Sequence, residues 1–280
     1  MTSFLEKVLA ASRQQDSLLC VGLDPELGRF PAHLRALSSV MHAATRFCRE
    51  IIEATVPYAC AYKPNLAFFE VLGPAGMQVL REVLQAIPPH IPVIADAKRG
   101  DIGHTAHSYA AALFETYGFD AATVNAYLGS DSVAPFLGYR EKGVFVLCRT
   151  SNPGARDFQD LRARDDDGEM RPLYEIVARR VDTWNTAGNC GLVVGATYPQ
   201  ELRNIRALYP DIPLLIPGIG PQGGDLHAAV AAGVDLQGER ALVAISRAIL
   251  YAGDGSDYAA RAGEAARTLR DRMNEAKRSS

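Results

Sequence analysis

The sequence predicts an α/β fold, a (β/α)8 TIM barrel, on three observations. Eight short apolar runs punctuate the chain. Stretches with helical spacing separate them, and polar exceptions to the runs gather at their C-terminal ends. The runs are LLCVGLD (18–24), CAYKPNLAFF (60–69), IPVIADAK (91–98), AATVNAYLG (121–129), GVFVLCRTS (143–151), GLVVGAT (191–197), IPLLIPGIG (212–220) and ALVAISRAI (241–249). They are nearly continuously apolar, which suits parallel strands buried on both faces. Eight strand–helix units in a chain of 280 residues match a closed barrel, and right-handed crossovers favour that closure. A doubly wound open sheet is the competing architecture, because counting runs does not prove closure.

The intervening helices follow from spacing. Phe47, Cys48, Ile51 and Ile52 share one face, as do Leu80, Val83 and Leu84. Tyr258, Ala262, Ala265, Leu269 and Met273 recur at three- and four-residue steps in the last helix, with Ser256 or Asp257 as its expected cap. No linker divides the chain, so residues 1–280 read as a single barrel domain. The one polar insertion, 152–172, follows the fifth run and reads as a solvated loop.

Composition narrows the function. The chain is 48% apolar and 22% charged, enough to bury a sizeable core. A net charge of −3 and a pI near 6.1 give no basic footprint for nucleic acid or an anionic membrane. The odd number of cysteines, five, with no C-x-x-C pair, indicates neither a disulfide framework nor a zinc knuckle. The opening MTSFLEKVLAASRQQ, with Glu6, Lys7 and Arg13, does not read as a signal peptide, and no run is long enough to span a bilayer. A cytoplasmic setting is expected.

The polar exceptions are Asp24, Lys63, Asp96, Lys98, Asn125, Ser151 and Arg247. They fall at the end where barrel enzymes build active sites. Asp96 and Lys98, two apart on a strand, share a face with Ile94, and Asp101 follows in the loop. Lys63 comes from the neighbouring strand. A surface ion-pair cluster is the plainer alternative, but several separate runs place charge at one mouth.

A second group points to an anion. PGIGPQGGDL (217–226) follows the seventh run with four glycines and leads into a helix. Gln222 offers an amide donor, and Arg247 after the eighth run a bidentate partner for phosphate. The loop also fits G-x-G-x-x-G at Gly218, Gly220 and Gly223, but a dinucleotide fold places that motif after an early strand with an acid about 20 residues on. A bare turn without ligand is the other reading. His104 and His107 at i, i+3 read as exposed helix residues rather than a metal pair.

The phosphate grip and the Lys–Asp–Lys–Asp array together resemble the orotidine 5′-phosphate decarboxylase family, in its longer bacterial form (type 2). LLCVGLDP, YKPNLAFFE, DAKRGDIGHT, TVNAYLG, TSNPG, PGIGPQGGD and SRAI carry the resemblance over nearly the whole chain. D-x-K-x-x-D is shared with related sugar-phosphate enzymes; KPNLAFFE beside DAKRGDI discriminates more sharply.

The resemblance implies a homodimeric barrel that converts orotidine 5′-monophosphate to uridine 5′-monophosphate and carbon dioxide, without metal or organic cofactor. It implies Lys98 as proton donor, Asp96 beside the substrate carboxylate, Asp101 contributed across the dimer, and Lys63 completing the charge array. It further implies Asp24 at the ribose, Ile102 and Thr105 in the neighbouring subunit's site, and Ser151 at the pyrimidine. Pro217, Gln222 and Arg247 fall in the pyrimidine- and phosphate-side motifs. Two departures stand out: Ala126 where many relatives carry proline, and an insertion at 152–172 that differs in length from short members. A magnesium-dependent sugar-phosphate lyase, with Glu70 as a candidate ligand, and a non-catalytic phosphate-binding barrel are the rival functions.

Overall fold

Each apolar run contains one parallel strand of a single eight-stranded sheet. The computed structural model describes residues 2–220 and 223–279. In chain order the strands are β1 (Leu19–Leu23), β2 (Ala61–Pro64), β3 (Ile94–Arg99), β4 (Ala121–Val124) and β5 (Gly143–Arg149). A small hairpin, β6 (Arg162–Arg164) and β7 (Met170–Pro172), precedes β8 (Cys190–Val194), β9 (Leu214–Pro217) and β10 (Ala241–Ile245). The sheet runs β2-β1-β10-β9-β8-β5-β4-β3. Parallel bridges Tyr62↔Val93 and Asn65↔Asp96 join its two ends and make the ring a barrel rather than an open sheet.

Side chains alternate across this wall with a period of two. Leu19, Val21, Val144, Val146, Leu214, Ile216, Val243 and Ile245 are buried in the large cluster beneath the helices. Their neighbours point inward. Cys20, Ala61, Ile94, Ala121, Phe145, Val193, Leu215 and Leu242, one from each barrel strand, form a separate apolar cluster that fills the floor. Phe4 and Val8 of the N-terminal helix join that cluster from below. Phe4 meets Phe145 edge to face at 5.7 Å, and its backbone N–H donates to the Glu141 carbonyl at 2.9 Å. The start of this helix is fixed by a capping box between Ser3 and Glu6. The barrel is thereby stoppered at its N-terminal end.

The expected helix faces are buried at Phe47, Cys48, Ile51, Ile52, Leu80 and Val83, and partly at Leu84. In the last helix, Tyr258–Arg278, Asp257 stands at the cap position, but its carboxylate accepts from the Arg261 guanidinium instead of a backbone N–H. All five cysteines are free and buried. Among the described residues no helix is long and apolar enough to cross a membrane.

The 152–172 segment is mostly exposed, as expected, but it carries secondary structure and one buried acid. A 3-10 turn, Pro153–Asp157, leads into the β6–β7 hairpin. The Asp165 carboxylate is fully buried there, 3.0 Å from Arg180, 3.3 Å from Arg179 and 3.5 Å from Arg171. A run of acids that reads as solvent-facing thus supplies the hairpin's anchor, because the helix Leu173–Trp184 brings arginines beneath it.

Candidate active site

One layer above the apolar floor, the inward positions turn polar. β1 presents Gly22, β2 Lys63, β3 Asp96 and β4 Thr123. Asp96 is coupled to both lysines. Its Oδ2 lies 2.6 Å from Lys63 Nζ and its Oδ1 2.5 Å from Lys98 Nζ. Lys63 and Asp96 are nearly inaccessible, at 7% and 9%, whereas the Lys98 side chain is half exposed. Burial alone would raise the Asp96 carboxyl, but the Lys63 and Lys98 ammoniums outweigh it and hold the group well below the usual carboxylate range. Burial alone would lower Lys63, but Asp96 and then Asp24 outweigh it and raise the ammonium above its ordinary value. Both members of the buried pair therefore stay charged.

Lys98 reaches Asp96 by a route that simple strand alternation does not describe. Its φ is +47°, in the left-handed region that a non-glycine residue adopts only when its surroundings impose it. The β3–β4 register shifts between Ala95 and Arg99 to make this kink. Thr123 holds it: Oγ1 accepts the N–H groups of Ala97 at 3.1 Å and Lys98 at 3.0 Å, and lies 3.3 Å from Asp96 Oδ1. The bulge re-aims a lysine over the mouth, a frequent use of such irregularities.

A cavity of about 550 Å³ opens above these groups, within the range of small-molecule sites. Asp24, Lys63, Asp96, Lys98, Ser151, Pro217 and Arg247 all line it. The charged array and the proposed anion grip therefore share one chamber, with Leu147, Val193, Leu215 and Ala244 as its apolar base. Asp24 Oδ1 and Ser246 Oγ are buried at this wall without a hydrogen-bond partner among the described residues. Two glycines admit close backbone approach. A Cβ at Gly22 would stand 2.7 Å from Ser246 Cβ, and one at Gly195 2.8 Å from Ser151 Cα.

Three expected residues do not line this chamber. Asp101, Ile102 and Thr105 sit on the outer rim after β3. Asp101 Oδ1 accepts the Ile102 N–H at 2.8 Å, and Ile102 is 54% exposed. Gln222 lies outside the described residues. Asn125 turns away and accepts the Tyr127 N–H. Among the described residues no group of three or more His, Cys, Asp or Glu side chains is placed to hold a metal ion. Glu70, the acid considered as a ligand, is paired with Arg99 at 2.6 Å.

The sequence reading passed over Thr123, Thr150, Gln159 and Ser246, all of which line the cavity. Thr123 carried a usable signal. It stands two residues above Ala121, whose register partner is Ile94, and so lies level with Asp96.

The comparisons with known proteins agree with this geometry. Residues 17–262 match the model of the orotidine 5′-phosphate decarboxylase / HUMPS family. The chain is 51% identical over 271 residues to an orotidine 5′-phosphate decarboxylase of Dehalococcoides mccartyi, covering 97% of both chains. It superposes on the structure of Leishmania donovani OMP decarboxylase with a TM-score of 0.86 and 42% identity, covering 100% of both. It also matches the structure of Leishmania donovani UMP synthase, with a TM-score of 0.87 and 44% identity, covering 99% of this chain but only 57% of that longer one. With a family model spanning most of its length and a relative at half identity over nearly all of it, the chain belongs to the orotidine 5′-phosphate decarboxylase / HUMPS family.

Proposed function

We propose that this chain decarboxylates orotidine 5′-monophosphate to uridine 5′-monophosphate and carbon dioxide, the last step of de novo UMP synthesis. The observation that carries the reading is the Lys63–Asp96–Lys98 array facing the same cavity as Arg247. A nucleoside monophosphate has its phosphate at one end and its reacting carbon at the other, and the lining of this chamber offers a group for each.

The chemistry follows from the charges. The bond between C6 of the pyrimidine and the carboxylate breaks, and its electron pair remains on C6. A fixed ammonium stabilises that charge as it develops. Lys98 then donates a proton to C6, and the half-exposed amine regains one from solvent. Asp96 holds Lys98 in place through an ion pair on one oxygen, and Lys63 occupies the other oxygen, so the cluster keeps a net positive charge. A substrate carboxylate near Asp96 meets a like charge that disappears as carbon dioxide leaves. Grip on the phosphate, remote from C6, supplies binding energy for orientation.

In the same reading Asp24 meets ribose, Ser151 and Pro217 border the pyrimidine, and Arg247 with Gln222 takes the phosphate. Asp101, Ile102 and Thr105 serve the site of a second subunit in a homodimer. The exposure of Ile102 and Thr105 and the partial exposure of Asp101, all outside their own chain's cavity, support this. The chain acts as one barrel domain with the 152–172 segment inserted after β5, and it works in the cytoplasm without metal or organic cofactor.

Loss of orotidine 5′-monophosphate absorbance, followed with added chelator, tests the reading. The parent protein turns over undiminished, and Lys98→Ala loses about a thousandfold or more in kcat. Full activity of Lys98→Ala would refute the proton donor, and complete loss on chelation would favour a metal-dependent lyase.

A further inference from the structure

Arg149 heads the fully buried side chains by size among the described residues, with 0% exposure, although it carries a charge and does not line the cavity. A buried guanidinium is weak as a source of stability, because desolvation offsets most of what its partners return. Its surroundings indicate another use. Alternation along β5 would direct Arg149 inward above Leu147, but the β5–β8 register shifts between these two residues. The side chain instead runs behind the loop that follows β5.

There it makes three kinds of contact. Its Cζ lies 3.8 Å from the centre of the Tyr198 ring, a stacking distance. Its Nη2 lies 3.1 Å from Asp160 Oδ1. Its Nη1 donates to Gln159 Oε1 at 3.3 Å. Gln159 passes the restraint to the cavity wall. The same Oε1 accepts the Thr150 N–H at 2.8 Å, and Nε2 donates to Thr150 Oγ1, also at 2.8 Å. Thr150 Oγ1 in turn donates to Asn152 Oδ1 at 2.7 Å. Thr150, Ser151, Asn152, Phe158 and Gln159 form one side of the chamber. Arg149 Nε has no partner among the described residues, so the group is held less completely than one optimised for stability alone.

We propose that Arg149 is a positioning residue: through Gln159 it fixes the Thr150–Asn152 wall against which the substrate's base is held. Tyr198, arriving from the loop after β8, is the flat surface that sets the plane of the guanidinium. The inference rests on the function proposed above for this site.

Steady-state kinetics with orotidine 5′-monophosphate and UMP binding, on Arg149→Met, Arg149→Lys, Gln159→Ala and the Arg149→Met/Gln159→Ala pair, provide the test. Arg149→Met raises KM about tenfold and weakens UMP in parallel, with kcat changed less than about threefold, the pattern of lost binding rather than lost chemistry. Gln159→Ala gives a similar loss, and the double variant is no worse than either single one, because both break the same strut. Arg149→Lys keeps the charge but lacks the planar fork and recovers less than half of the effect. An unchanged KM and UMP affinity in Arg149→Met, or additive losses in the pair, would overturn the proposal. If Arg149→Met does not fold, Gln159→Ala and Arg149→Lys carry the same comparison. Tryptic cleavage after the exposed Arg156 separates this inference from the reaction itself. It accelerates in Arg149→Met whether or not the parent turns over the nucleotide, and unchanged cleavage would count against the strut.

Discussion

Lys63 and Lys98 grasp opposite oxygens of one carboxylate, Asp96, at 2.6 and 2.5 Å, one lysine sealed in the barrel and the other half open to the mouth. Lys63 thereby has a structural duty that Lys98 lacks. Lys63→Met leaves a buried carboxylate with one half-exposed charged partner, and is expected to cost about 3–5 kcal/mol. Lys98→Met leaves the buried pair intact and costs little. Thermal unfolding of the two variants should separate them clearly.

The same pair sets a pH window. The Asp96 carboxyl is depressed on folding, so its contribution is complete above the unfolded value of about 4 and fades as pH falls toward the folded one. Lys63 is raised on folding, so its contribution is complete below about 10.4 and fades as pH rises above it. Urea unfolding should therefore show the pair's contribution constant between about pH 5 and 10, declining on either side. In Lys63→Met/Asp96→Leu both declines should shrink, and undiminished slopes would refute the assignment.

Thr123→Val removes the acceptor for two backbone N–H groups while preserving shape. The kink at Lys98 then loses its brace. We expect kcat to fall about tenfold with a much smaller change in KM, because the ammonium, not the binding wall, is displaced. Steady-state kinetics decide it.

Gly195→Ala inserts a Cβ only 2.8 Å from Ser151 Cα, and backbone gives way poorly. A destabilisation of about 1–3 kcal/mol should accompany an increase in KM. Gly28→Ala, where an added Cβ meets nothing within 4 Å, is the control.

Asp165→Asn tests the hairpin. Three arginines lose their common counter-charge, so amide hydrogen exchange across 162–172 should quicken while exchange in β5 remains slow.

Much of this was legible in the residues, and the exceptions have physical causes. The barrel could be read because parallel strands buried on both faces need long apolar runs, and Asp96 and Lys63 were conspicuous within them. Alternation put Asp96 and Lys98 on one face, but the lysine reaches the acid through a bulge with positive φ, which no residue type announces. Thr123 was hidden because threonine is an ordinary strand residue. Arg149 was hidden because it stands where the apolar VLC gives way to the polar TS, and only the register shift reveals where it goes. Asp165 and Asp167 read as solvated, as Asp166 largely is, because their arginine partners lie 4 to 15 residues further on. Asp101 was legible in the loop after the third run, whereas Ile102 and Thr105 entered through family resemblance, and one chain's cavity includes none of the three.

The stopper formed by Phe4 against Phe145 makes the chamber a cul-de-sac. Reactant, gas and nucleotide product must all use one doorway, so turnover is a queue: the vessel has to empty before it can refill. Any element that narrows this doorway slows departure as much as arrival, and a second exit from below would require unseating the first helix and parting the apolar floor.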